Sequence, residues 1–296
     1  MSLEVKFTKT IIEGQICLFS NNNNDTNPLT FILIPGNPSI PELYVQFATL
    51  FIKNYNYPVI ISSLASNTSK NFSLGKAIKL KQNFFEYLFN SNPSGKYIVL
   101  GHSIGNYILL KSLQKLKDSN QIIGIYCLFP ALKNMYESFT LQYKIISYNI
   151  IIINIIAFLF YLFQFLPSCL VILIFKLISD IPEPYILCLA RNATQSITKQ
   201  MLLLTQDEGK YVKEYSNDFI EFMNNNSYRL RMIYGKNDRY GNEETAQKFH
   251  ELVPNATLKI VNILHAFVLG HSQDAFNEIN GLIIKDIDNF NKSIQK

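Results

Sequence analysis

Tryptophan is absent from this chain, and cysteine and histidine occur only four times each in 296 residues. Cys17, Cys127, Cys169 and Cys188 form no C-x-x-C pair and no framework spacing. That excludes a disulfide-stapled scaffold and reads as buried or neutral thiols in a reducing compartment. The excess of one sign of charge is also small: 27 Lys and Arg against 22 Asp and Glu leave +5, and the lysines are scattered. A nucleic-acid binder needs a basic face with exposed aromatics, so nucleic acid is not an expected partner. Met1–Lys6 holds no apolar run, and no cleaved secretory signal is expected there. No internal repeat is visible, and the asparagine runs at 21–24 and 224–226 read as compositional bias in solvent loops.

What is abundant is apolar surface. Hydrophobic residues make up 48% of the chain, with 17 Tyr and 22 Phe, enough at this length for a full core. Their spacing predicts strands at 3–8, 15–19 and 30–34, with Asn21–Asp25 connecting the second to the third. A helix over 41–53, a strand at 58–62, a helix over 73–90 and a strand at 96–100 follow. Next come a helix over 104–117 and a strand over 122–129. The rhythm stops near Pro130 and resumes near Tyr228, with a strand at 229–234, a helix at 242–252, a strand at 257–261 and a helix at 273–291. Strands alternating with helices predict an α/β fold, a mostly parallel central sheet flanked by helices. The nearly continuous apolar runs suit strands buried on both faces. Residues 131–227 interrupt this pattern, so the core is expected in two parts, 1–130 and 228–296, around a helical insertion.

The predicted strand at 96–100 runs straight into Gly101-His102-Ser103-Ile104-Gly105. G-x-S-x-G between a strand and a helix is the nucleophile elbow: a sharp turn lifts the serine hydroxyl above the sheet edge, and the glycines let neighbouring backbone pass closely. Ser103 needs a base, and the base needs an acid to hold its tautomer. In α/β hydrolases these follow in the order Ser, acid, His. Three histidines lie downstream. His250 falls inside a predicted helix and reads as a solvated residue; His265 follows the strand at 257–261 by a short loop; His271 near the last helix is a reserve candidate. Ligands and catalytic groups gather at the carboxyl edge of such sheets, which favours His265. Asp238, just past the strand at 229–234, is the favoured acid over Asp207 and Asp218 in the insertion; its structural alternative is a helix N-terminal residue. For the oxyanion, the Ile104 N–H is one expected donor. The turn Pro35-Gly36-Asn37-Pro38 supplies Asn37 as the other, because Pro38 has no N–H.

Between nucleophile and acid, no charged side chain occurs from Ile145 to Phe175. Pro167 divides the stretch into about 22 residues before it and about 11 after, counted to Ile178, and only the first part is long enough to span a bilayer. A single span would put Ser103 and Asp238 on opposite sides of a membrane, which a triad forbids. The remaining readings are a cap lining a lipid pocket, or a hairpin or re-entrant segment at about 145–178 that dips into a monolayer or one leaflet.

Taken together, the chain resembles the lipid droplet-associated hydrolase family of the α/β-hydrolase superfamily. The resemblance rests on Ile34-Pro35-Gly36-Asn37-Pro38 with Tyr44, on Gly101–Gly105, on Tyr234-Gly235 leading to Asp238, on His265-Ala266-Phe267 and on the apolar middle segment. It implies an α/β-hydrolase fold, a Ser103–Asp238–His265 triad and hydrolysis of lipid carboxylic esters, sterol esters foremost, with no cofactor. It also implies residence on lipid droplets and the cytosolic face of the endoplasmic reticulum. Position 39 is Ser where such families often carry Gly, so the oxyanion turn is expected to differ there. The competing expectation is a droplet-binding or organising protein that keeps the fold with little turnover. Acyl transfer to an alcohol instead of water is a third.

Overall fold

Six of the strands carry apolar side chains on both faces, and a strand of that kind is stable only with helices packed above and below it. In the computed structural model, which describes residues 5–21, 29–66 and 72–294, they lie side by side in such a sandwich. The strands are β1 (Phe7–Ile12), β2 (Gln15–Ser20), β3 (Leu29–Ile34), β4 (Val59–Ser66), β5 (Lys96–His102), β6 (Ile122–Leu128), β7 (Leu230–Gly235) and β8 (Thr257–Val261). They form one sheet in the order β1-β2-β4-β3-β5-β6-β7-β8. β1 and β2 are antiparallel, β2 is antiparallel to β4, and the rest are parallel.

Helices α2 (Leu74–Ser91) and α3 (Ile104–Gln114) cover one face, where Phe84, Phe85 and Ile108 meet Ile32 and Val99. On the other face α1 (Val45–Tyr55) and α12 (Ser272–Ile294) bring Phe47, Phe51, Phe276 and Ile283 against Phe31, Leu33, Ile98 and Leu100. Each such fully buried side chain contributes about 1.5–3 kcal/mol. The α/β architecture expected from the sequence is therefore present.

Several local expectations are corrected. The first strand is Phe7–Ile12, not 3–8, because Glu13 and Gly14, with φ 49° and 75°, make the two-residue turn into β2. Two successive positive φ values match the right-handed twist of the flanking strands. Residues 3 and 4 of the expected strand, and most of the Asn21–Asp25 connection, lie outside the described residues. Asn224 and Asn225 end helix α10 (Asn217–Asn225) instead of forming a solvent loop, and the Asn224 side chain donates to the carbonyls of Ile220 and Leu252. Cys17 and Cys127 are buried as expected, but Cys169 is exposed.

The insertion between β6 and β7 holds α4 (Met135–Ser138), α5 (Leu141–Ser147), α6 (Ile150–Phe163), α7 (Ser168–Ile178), α8 (Glu183–Asn192), α9 (Gln195–Tyr211) and α10. Its apolar stretch is more broken than expected. Asn149 accepts from the N–H groups of Ile151 and Ile152 and so caps α6, which bends 90° from α5. Pro167 then starts α7. Among the described residues no single helix is long and apolar enough to cross a membrane. α6 buries Ile153 and Ala157, packing on α9, and leaves Ile150, Ile151, Ile155, Phe158 and Leu162 exposed. On α7, Leu173, Leu177 and Ile178 are exposed as well.

One core position breaks the apolar rule. Lys81 of α2 is fully buried, and its Nζ has four acceptors within hydrogen-bond distance, Gln15 Oε1 at 2.6 Å, Ser62 Oγ at 2.6 Å, the Ser62 carbonyl at 3.1 Å and the Ser63 carbonyl at 3.0 Å. Burial lowers this ammonium from 10.5 to about 7. Between those values the unfolded chain binds a proton at Lys81 that the folded chain does not. Stability therefore falls as pH drops from 10.5 towards 7, by at most about 1.4 kcal/mol per pH unit, and levels off below. Denaturant titrations of wild type and Lys81→Met from pH 7 to 9.5 should show this slope in wild type and lose it in the variant. Equal slopes would reject the buried-amine account. The slope is the readout because methionine also removes the amine's hydrogen bonds to Gln15 and Ser62 and so changes stability at every pH.

Candidate active site

The carboxyl ends of β3, β5, β6, β7 and β8 all reach the same sheet edge, where Ile34 pairs with Gly101, His102 with Leu128, and Gly235 with Val261. Asn37, Ser103, Asp238 and His265 sit in the turns that leave this edge after β3, β5, β7 and β8, as ligand and catalytic groups do in open α/β sheets.

Ser103 joins β5 to α3 with φ 53° and ψ −129°, a backbone region that costs a non-glycine residue about 1–3 kcal/mol. The surroundings hold it there. The Ser103 N–H donates to the Leu128 carbonyl at 3.1 Å, the Asn106 N–H donates to the Ser103 carbonyl at 3.1 Å, and Asn106 Nδ2 donates to the Leu128 carbonyl at 2.9 Å. Gly105 is required by close approach: a Cβ there would meet the Pro35 carbonyl oxygen at 2.3 Å. Gly36 is required in the same way, since its Cβ would lie 2.8 Å from Ser103 Cβ. Both glycines thus press the elbow against the turn that follows β3.

Ser103 Oγ lies 2.9 Å from His265 Nε2, and His265 Nδ1 lies 2.6 Å from Asp238 Oδ2. A carboxylate only accepts, so Nδ1 carries the proton and Nε2 is left to accept from the serine hydroxyl. The Asp238 side chain is 1% exposed, and its Oδ1 accepts from the Tyr240 N–H at 2.9 Å. Its structural alternative fails, because Asn242 caps the following helix α11 (Glu243–Leu252). The Tyr240 ring packs on His265 with centroids 4.6 Å apart. A cleft of about 760 Å³ opens along the outer side of Asp238 and His265, lined also by Tyr240, Leu264, His271 and Asn277.

The other candidates lie elsewhere. His271 pairs with Asp274 at 3.2 Å on the surface. His250 is half-buried on α11, with its Nδ1 buried and unpaired among the described residues, and so is not the solvated residue expected. Asp207 accepts from the Leu74 N–H at the start of α2, and Asp218 accepts from Gln114 Nε2.

Ile104 is the first residue of α3, so its N–H is among those without an acceptor inside the helix. Asn37 adjoins the elbow, but its side chain turns away. Nδ2 donates to the Met201 carbonyl at 3.0 Å and Thr205 Oγ1 at 2.8 Å, and lies 3.3 Å from Glu208 Oε1, all on α9. Only its backbone N–H is thus left for the elbow. Burial pushes the Glu208 carboxyl up from 4.5 to about 8. Ser39, the departure from glycine, is buried; its Oγ accepts from the Leu64 N–H at 2.5 Å and the Ala65 N–H at 3.0 Å, tying this turn to β4.

Two residues in the site were not given a role from the sequence. His102, the variable position of the elbow motif, is buried between Tyr44 and the His265 loop, with Nδ1 2.6 Å from Tyr44 Oη and Nε2 2.9 Å from the His265 carbonyl oxygen. Tyr44 Oη also accepts from the Gly36 N–H at 2.8 Å. The available signal was the residue type itself, a histidine beside the serine with a tyrosine shortly after the oxyanion turn.

A family model described as lipid-droplet associated hydrolase matches residues 27–268. Lipid droplet-associated hydrolase of Dictyostelium discoideum is 26% identical over 272 residues, covering 87% of this chain and 88% of that protein. The Drosophila melanogaster protein of the same name is 27% identical over 265 residues, covering 82% and 84%. Among solved structures, an esterase from Thermogutta terrifontis superposes with a TM-score of 0.62 at 12% identity, covering 95% of this chain and 99% of that one. A haloalkane dehalogenase from Bradyrhizobium elkani gives 0.68 at 10% identity, covering 97% and 100%. These likenesses establish the α/β-hydrolase fold, which hosts more than one chemistry.

Proposed function

The chain belongs to the lipid-droplet associated hydrolase family, and we propose that it hydrolyses lipid carboxylic esters, sterol esters foremost, through an acyl-enzyme on Ser103. The observation that carries this reading is the line Ser103 Oγ–His265 Nε2–His265 Nδ1–Asp238 Oδ2, with steps of 2.9 and 2.6 Å at the turn into α3.

Ser103 Oγ attacks the ester carbonyl as His265 Nε2 takes its proton, and the Asp238 carboxylate stabilises the imidazolium that results. The negative oxygen of the tetrahedral intermediate is held by the N–H groups of Ile104 and Asn37, with the amino end of α3 adding its favourable field. The intermediate collapses, the carbonyl–alkoxide bond breaks, and His265 gives its proton to the departing alcohol. Water, deprotonated by His265, then attacks the acyl group; the carboxylic acid leaves and the Ser103 hydroxyl is restored. Ester and water become acid and alcohol, and no cofactor takes part.

In this reading residues 1–130 and 228–296 form the catalytic core, and 131–227 form a cap. The uncharged face of α6, with the exposed Leu173, Leu177 and Ile178 of α7 beside the lone cation Lys176, supports seating of about 145–178 in a droplet monolayer or the cytosolic leaflet of the endoplasmic reticulum. Replacing Ile151, Phe158 and Leu162 with glutamine leaves Ile153 and Ala157 packed on α9. A fluorescent fusion carrying these changes should leave droplets for the cytosol; retention on droplets would reject the seating. A purely organising role has its own signature, in which Ser103→Ala leaves the cellular sterol-ester pool and droplet phenotype unchanged after lipid loading. Hydrolysis requires that pool to rise.

A further inference from the structure

We infer that Tyr44 and His102 are positioning residues of the ester-cleaving site, joined in a one-way chain of hydrogen bonds that fixes the oxyanion turn and the backbone of the base together. The inference rests on the proposed chemistry at Ser103, but the chain itself can be read without turnover.

Its direction follows from which groups can donate. The His265 carbonyl oxygen only accepts, so His102 Nε2, 2.9 Å away, carries a proton. In a neutral ring Nδ1 is then an acceptor, and the donor facing it at 2.6 Å is the Tyr44 hydroxyl. Tyr44 has spent its proton and receives the Gly36 N–H at 2.8 Å on a lone pair. Each link leaves one choice for the next. The chain runs from the residue before Asn37, through Tyr44 and the elbow, to the residue whose ring serves Ser103.

Burial keeps both ends of this choice fixed. Tyr44 is 5% exposed and His102 6%. Desolvation pushes the Tyr44 phenol up, so it remains a donor. Desolvation, with the neighbouring His265 adding to it, holds His102 well below the usual imidazole range. The rings around His102 are Tyr44 from the turn before α1, Phe129 after β6, and His265 and Phe267 from the loop after β8. Its ring lies 5.1 Å from that of His265. A charge on His102 would oppose the imidazolium that His265 must form, and it would put a second donor against Tyr44. The neutral Nε2–H form avoids both.

The test uses the full chain labelled with ¹⁵N-histidine, read by the ring nitrogen shifts and by turnover of p-nitrophenyl butyrate. Wild type should show His102 neutral with its proton on Nε2. Tyr44→Phe should leave the proton on Nε2 but shift the Nδ1 resonance, which loses its donor, and lower kcat about 10- to 100-fold with KM within about threefold, the usual effect of a small misplacement of reacting groups. His102→Leu should do the same to kcat. His102→Gln should recover most of the loss, because a carboxamide can accept from Tyr44 and donate to the His265 carbonyl. A purely structural role would instead track melting temperature and show no recovery with Gln. A wild-type His102 that is charged at neutral pH or protonated on Nδ1 overturns the inference, as does a folded Tyr44→Phe with unchanged kcat. Absence of ester turnover in wild type would count against the esterase reading, while the proton position on His102, and the response of its Nδ1 shift to Tyr44→Phe, would still decide the chain.

Discussion

Ser103→Ala should abolish covalent labelling by a fluorophosphonate probe and lower ester turnover by about 10⁶-fold, the size of loss seen when a triad serine is removed. The expected effect is this large because no neighbouring group stands ready to replace the hydroxyl. His265 Nε2 is 2.9 Å from Ser103 Oγ, and the partners of His102 are Tyr44 and a backbone carbonyl. What survives should be the part of catalysis that needs only the N–H donors and binding, roughly 10³–10⁴ over water. The substitution itself is mild. Alanine removes one oxygen at a half-buried position and keeps the φ of 53° that the elbow already imposes. Melting temperature should therefore hold steady or rise slightly as side-chain constraint is relieved. Labelling that persists in Ser103→Ala would remove Ser103 as the nucleophile, whatever the fate of turnover.

The second large effect is expected at Asp238. Asp238→Asn keeps shape and burial but replaces an acceptor with a carboxamide that can present a donor to His265 Nδ1. The histidine would then favour its proton on Nε2, and Nε2–H cannot accept from Ser103. Turnover at neutral pH should drop by about 10⁴-fold with KM little changed. The loss should ease at high pH, where hydroxide assists removal of the serine proton. A burial argument sharpens the comparison with alanine. The Asp238 side chain is 1% exposed, and its Oδ1 also accepts from the Tyr240 N–H. Asp238→Ala should thus cost stability, about 1–3 kcal/mol for the donors left unpaired, where Asp238→Asn largely retains it. Turnover in Asp238→Asn within tenfold of wild type would move the acid to another residue.

How much of this was legible beforehand depended on whether a residue's role is set by its neighbours along the chain. The elbow could be read because a buried strand, two glycines and a helix are contiguous there. Asp238 and His265 followed because each comes directly after a strand of the parallel sheet, and a parallel sheet brings such loops to one edge. Tyr44 and His102 gained their meaning only in three dimensions. Their partners, the Gly36 N–H and the His265 carbonyl, are backbone groups that leave no trace in residue type. Asn37 was found as a turn residue, yet the pull of its side chain towards α9 joins positions more than 160 residues apart.

The misread elements have similar causes. A run without charge draws attention to length; Asn149, which with Asn154 and Gln164 softens that run, proves to cap α6 where it bends 90° from α5. At the other end, the apolar Val5 and Phe7 drew the first strand too early, while Glu13-Gly14 was the true punctuation. Lys81 lies inside a helix read correctly, but its burial depends on Gln15 and Ser62 from two other strands. Polar groups satisfied by distant partners are what a local reading misses.

The central claim is an acyl group carried on Ser103 during lipid ester hydrolysis. Rapid-quench mass spectrometry of the intact protein mixed with a sterol ester emulsion, followed by peptide mapping, tests it most directly. The account predicts a transient mass increase equal to the acyl group, located on the peptide that contains Ser103, and absent in Ser103→Ala. Sterol ester cleaved with the acyl group on another residue, or cleaved equally well by Ser103→Ala, would contradict it.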